Sequence, residues 1–103
     1  MDRIEKLMAF LERQPNDPFL LHALALEHVK LGDQGRAREL YEKVLELNPM
    51  YTGTYYHLGK LLAEEGEREA AIRIYEQGME VCRKAGDAHA LRELQTAYED
   101  LVY

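Results

Sequence analysis

Apolar residues return at spacings of three and four along almost the whole chain, and short polar interruptions reset the pattern. That spacing marks one face of a helix. Ile4, Leu7, Met8 and Leu11 form the first such face, and the helix should stop near Gln14, because Pro15 disfavours helical geometry in the residue before it. Asn16 or Asp17 offers a cap for a second helix, with Pro18 suited to its first position. This helix carries Leu21, Leu24, Ala25, Val29 and Leu31 and reaches Gly32, a natural left-handed stop. A third helix starts after Asp33 or Gln34 and runs to Leu47, with Ala37, Leu40, Tyr41, Val44 and Leu45 inward, and Pro49 closes it. Thr52 or Gly53 opens a fourth, with Tyr55, Leu58, Leu62 and Ala63 inside and Gly66 at its end. The fifth spans roughly Glu67 to Ala85 through Ala71, Ile72, Tyr75, Met79 and Val81. Gly86-Asp87 then gives a stop and a cap, and a sixth helix carries Leu91, Leu94, Ala97, Tyr98 and Leu101. Connections this short force neighbouring helices antiparallel, and no segment reads as a strand.

The same pattern is written twice, thirty-four residues apart. Leu24 answers Leu58, Gly32 answers Gly66, Ala37 answers Ala71 and Tyr41 answers Tyr75. A fixed period of this length signals a stacked helix-turn-helix unit. Ala25 and Gly59 let the two helices of a unit approach closely, Ala37 and Ala71 fill the facing position, and Tyr41 and Tyr75 supply large buried area. The flanks fit the period as well. Leu7, Leu11 and Pro15 lie thirty-four before Tyr41, Leu45 and Pro49, while Leu91, Leu94 and Tyr98 match the start of a further unit after a two-residue insertion.

This arrangement resembles the tetratricopeptide repeat (TPR), with Leu58-Gly59, both turn glycines, both alanines and both second aromatics in place. Departures are Leu21 at the usual Trp, His28 and Leu62 at the first aromatic, and Arg83 at the closing Pro of the second repeat. The resemblance implies an all-α, α-α superhelix in one domain, residues 1–103. Within it, 1–15 is an N-terminal helix resembling a half repeat, 18–51 and 52–85 are the two repeats, and 86–103 is a C-terminal capping helix.

Composition narrows the function more than it defines it. Nineteen acids against 13 Lys plus Arg give a formal charge of -6, and the cations are dispersed, which argues against nucleic acid as a partner. Pairs such as Glu39/Lys43, Glu64/Arg68, Glu69/Arg73 and Glu80/Lys84 read as solvated helix faces. Cys82 is the single cysteine, excludes an internal disulfide and reads as a small buried or half-buried apolar residue. Asp2, Glu5 and Glu12 break any leader-like start, and no apolar run approaches the roughly 18 residues of a membrane span, so cytoplasmic residence without membrane contact is the expectation.

The four histidines show no metal-ligand spacing, and the chain has neither a phosphate-cradling glycine loop nor a nucleophile elbow. The expectation is therefore a protein that is not an enzyme, with no cofactor and no small-molecule substrate. The family resemblance implies instead a concave groove, lined by the first helix of each repeat, that holds a partner protein or peptide. The groove positions are Phe19, His22, Leu26, Val29 and Lys30 in the first repeat, and Gly53, Tyr56, Lys60, Ala63 and Glu64 in the second. They are apolar and aromatic with few charges. Family members that grip acidic chaperone tails use a Lys and an Asn one turn apart; His22 with Leu26 and Tyr56 with Lys60 stand there instead, so no carboxylate clamp is expected. In the run Tyr51 to His57, Tyr55 is read as a packing residue, Tyr51 as part of the turn between repeats, and Tyr56 as a contact residue. The alternative is a self-associating module, a homo-oligomer sealed by Phe19, Leu26 and Val29 or by the terminal Tyr98, Leu101, Val102 and Tyr103.

Overall fold

A computed structural model describes residues 2–103, so the first residue of the expected helix at 1–15, Met1, lies outside the described residues. The described residues form α1 (Arg3–Arg13), α2 (Pro18–Lys30), α3 (Gln34–Leu47), α4 (Thr52–Glu64), α5 (Arg68–Ala85) and α6 (Ala88–Val102), with no strand among them. Contacts cluster into two compact units, Met1–Asn48 and Pro49–Tyr103.

Aspartates start four of the helices. Asp2, Asp17, Asp33 and Asp87 each accept a hydrogen bond from an orphan backbone N–H in the first turn. Asp17 serves α2 doubly, taking the N–H groups of Phe19 at 2.9 Å and Leu20 at 3.3 Å, with Pro18 behind it. Tyr51 and Glu67 begin α4 and α5 with no side-chain cap. Three helices end alike. Gly32, Gly66 and Gly86 take φ of +79°, +83° and +72°, a region that costs glycine no Cβ clash. The next residue's N–H then reaches back to a carbonyl five residues earlier, as from Asp33 to His28 at 2.9 Å, Glu67 to Leu62 at 2.9 Å and Asp87 to Cys82 at 3.0 Å. Helix α2 proper stops at Lys30, two residues before Gly32, so Leu31 sits in the cap and is 69% exposed instead of joining the apolar face. Without a Pro at Arg83, α5 runs the full distance to Ala85.

In the first unit, α2 packs on α3 and α1 packs on α2, burying Leu7, Leu21, Leu24, Ala25, Ala37, Leu40, Tyr41 and Val44. Leu45, expected inside, is half-buried. In the second unit, α5 packs against both α4 and α6, and α4 also meets α6. The approach of α4 to α5 is set by two glycines. A Cβ on Gly59 would stand 2.3 Å from Cε1 of Tyr75, and one on Gly78 would stand 2.5 Å from Cβ of Tyr55. Both tyrosines are accordingly buried, at 3% and 0% exposure. Ion pairs on the outer faces include Glu80 with Lys84 at 3.5 Å and Arg38 with Glu42 at 3.0 Å, while Glu39 meets Arg36 at 3.3 Å.

Candidate functional site

In the first unit, the face of α2 turned away from Leu21 and Leu24 carries Phe19, His22, Leu26, Val29 and Lys30. The capped first turn holds Phe19 outward at 64% exposure, and Val29 is 39% exposed. His22 and Leu26 are half-buried, the His22 ring lying 5.4 Å from the ring of Tyr41 on α3. Lys30 is drawn along the helix to Glu27, 3.0 Å away, and the same carboxylate oxygen lies 3.4 Å from Nε of Arg3 on α1. Helix α1 docks on the other side of α2. There Met8, Leu11 and Pro15 join Leu21, Leu24 and Leu40 in a cleft of about 450 Å³ that Glu12, Arg36, Glu39 and Lys43 also line. The N-terminal helix therefore leaves Phe19 and Val29 uncovered.

In the second unit, Tyr56 is half-buried and meets the His57 ring edge-on, with centroids 5.4 Å apart. Lys60 and Glu64 are exposed, Ala63 is half-buried, and Gly53 is exposed with open space around it. Tyr56 does not stand alone. It closes a cleft of about 380 Å³ against α6, whose His89, Arg92, Glu93, Thr96, Ala97 and Asp100 form the facing wall. From sequence, Leu91, Leu94 and Tyr98 match the start of a further unit, but α6 enters only as a cap, so the groove positions are not carried onto its polar face and this wall is missed. Arg92 adds a cation beyond Lys60, set beside Glu93 and Asp100, so the wall of this cleft carries both signs of charge.

Helix α6 is placed by Asp87. Thr52 Oγ1 donates to Asp87 Oδ2 at 2.6 Å, and the Ala90 N–H donates to Oδ1 at 3.0 Å. These two bonds hold the Asp87 carboxyl below its usual range. Tyr55 fixes the start of α4 by donating to the Pro49 carbonyl at 2.6 Å. Burial pushes the Tyr75 and Tyr41 hydroxyls up to about 12, and Tyr55 upward too, so all three stay neutral packing groups. Burial pulls His57 below the usual imidazole value, which Glu93 opposes and Lys60 reinforces. The Cys82 thiol is 1% exposed and burial raises it, the opposite of an activated nucleophile. Among the described residues no group of three His, Cys, Asp or Glu is placed to hold a metal ion, and no helix is long and apolar enough to cross a membrane.

The paired helices, glycine stops and close Gly59–Tyr75 contact agree with comparison to known proteins. The family model described as Tetratricopeptide repeat matches residues 28–94, from the end of α2 to Leu94 of α6. The chain belongs to the tetratricopeptide repeat family. The crystal structure of a TPR domain protein from Salinibacter ruber is 46% identical and superposes with a TM-score of 0.80, covering 82% of this chain and 94% of that one. A TPR repeat-containing protein of Pseudomonas aeruginosa is 29% identical over 91 residues, 88% of this chain and 87% of that protein. The photosystem I assembly protein Ycf3 of Rippkaea orientalis is 31% identical over 83 residues, 73% of this chain. This chain covers 48% of the length of that protein, about half. The TPR match runs seven residues into α6, in keeping with its register as a first helix.

Proposed function

We propose that this TPR protein binds a partner polypeptide through the exposed side of its first helices, with Phe19 and Val29 on α2 and the Tyr56 cleft between α4 and α6 as contact points. The observation that carries the reading is the cleft itself. An aromatic ring stands at its edge, and a wall bearing a cation, two acids and a hydroxyl faces it. Such a surface suits a peptide, which offers both an apolar side chain to the ring and backbone groups to the polar wall. Phe19, at 64% exposure, is a large apolar group with no structural duty at its tip, as expected of a contact anchor. The role is non-catalytic in this reading, because the strongly shifted groups are the packed tyrosines Tyr41 and Tyr75, and the buried Cys82 thiol is shifted upward, away from a nucleophile. The name of the Rippkaea orientalis relative, an assembly protein, is in keeping with work done by holding another polypeptide.

Affinity capture from the source organism's extract tests this. The wild-type chain is compared with a Phe19→Ala, Tyr56→Ala, Lys60→Ala variant whose folding is checked by circular dichroism. Loss of the specific partners from the variant is expected. Recovery of the same partners at the same yield would place binding elsewhere.

A further inference from the structure

The Tyr56 cleft is polarised along its length. Its charged lining comes from α6, in the order His89, Arg92, Glu93 and Asp100. Glu93 is engaged across the cleft, since its carboxylate acts on the His57 ring of α4, on which Lys60 acts with the opposite sign. Asp87, ahead of His89, is taken up by the Thr52 hydroxyl and the Ala90 N–H. Among the described residues Arg92 and Asp100 have no ion-pair partner, and both are exposed. An unpaired cation therefore stands near the start of α6 and an unpaired anion near its end, with Tyr56, Thr96 and Ala97 also lining the cleft. The surroundings reinforce the negative end. Glu99 adjoins Asp100, and Glu64 holds the matching place on α4 in the register that pairs Leu58 with Leu94. Glu64 and Asp100 both lie in the last turn of their helices, where an acid opposes the dipole and weakens its own helix. Arg68, the next base along the chain, opens α5 and does not line the cleft.

Spacing narrows the ligand. Arg92 and Asp100 are eight residues apart, about 12 Å along a helix. A volume of about 380 Å³ over that length leaves a section of roughly 30 Å², too narrow for a helix about 10 Å across. An extended chain fits, covers the same distance in about four residues, and turns alternate side chains to one face. Resting on the peptide-binding reading, we propose that the partner enters as an extended segment with an acidic and a basic side chain four residues apart. The acid meets Arg92, the base meets Asp100, and an apolar side chain between them lies against Tyr56 and Ala97.

A phage-displayed library of random heptapeptides, panned against the folded chain, tests this. Peptides held by the wild type and not by Tyr56→Ala should be enriched in an acid and a base four residues apart, in one order. The double variant Arg92→Glu, Asp100→Arg keeps the net charge and should select the opposite order. Either substitution alone should weaken a peptide selected on the wild type about fivefold to tenfold, as attraction at an exposed site becomes repulsion. Arg92 and Asp100 are exposed, so the order reversal decides the matter even if Tyr56→Ala misfolds. Tyr56-dependent peptides without that spacing, or one order selected by both proteins, would overturn the proposal and leave the cleft a peptide site. Peptides that bind without regard to Tyr56, Arg92 or Asp100, or none selected, would overturn it together with the cleft's part in peptide binding.

Discussion

His57 is the residue whose ionisation bears most directly on stability. Its folded pKa lies below the usual 6.5 because burial disfavours the charged ring. The unfolded chain therefore takes up the proton more readily than the folded one, and stability falls as protons are added. The contribution is complete above the usual value and is lost as pH drops from there through the folded value. Asp87 has the same sign at lower pH, since its two hydrogen bonds favour the carboxylate below its ordinary 3.8. Urea unfolding of wild type and His57→Gln at pH 7.5 and 5.5 should show a larger acid loss in the wild type. Equal losses would remove His57 from this role. Neither effect was legible in the sequence. His57 read as one of four histidines without ligand spacing, and Asp87 as a cap alone, because the Thr52 bond joins residues 35 apart.

Helix ends were legible because capping is local chemistry. Asp17, Asp33 and Asp87 start helices, and three glycines stop them, within a residue or two of where the side chains place them. Helix approach was legible only where the period repeats. Ala25 and Gly59 announce a close contact together, whereas Gly78 has Val44 as its counterpart and gave no warning. The same substitution should thus have opposite signs along the chain. Gly→Ala gains about 0.5–1 kcal/mol in a helix interior, but overpacking a filled site costs about 1–3 kcal/mol or more. Gly59→Ala meets a buried Tyr75 ring, and Gly78→Ala meets Tyr55 Cβ, an atom that cannot move without its backbone. Both should lower the melting temperature, Gly78→Ala by more. Gly35→Ala, with nothing within 4 Å, should be neutral or raise it. A stable Gly78→Ala protein would contradict the close approach of α5 to α4.

For the whole molecule, the apolar spacing foretold six helices and the period paired them into units, and six helices are present among the described residues. Neither could tell which sides of the helices frame a cleft. Apolar spacing reports what is buried, and His89, Arg92, Thr96 and Asp100, though they share one face of α6 at helical spacing, are polar and carry no sign of what they face. We propose that the two compact units unfold as one domain, as the continuous repeat implies. Helix content by circular dichroism and a probe on either unit should then follow one coincident transition. Separate transitions for the two units would reject this. Titrating a captured partner peptide into isotope-labelled protein and following backbone amide NMR shifts locates the surface on which a partner binds. The largest changes should fall on Phe19, Val29, Tyr56, Lys60, Arg92 and Thr96. Changes confined to the outer faces of α3 and α5, with these six amides unmoved, would contradict it.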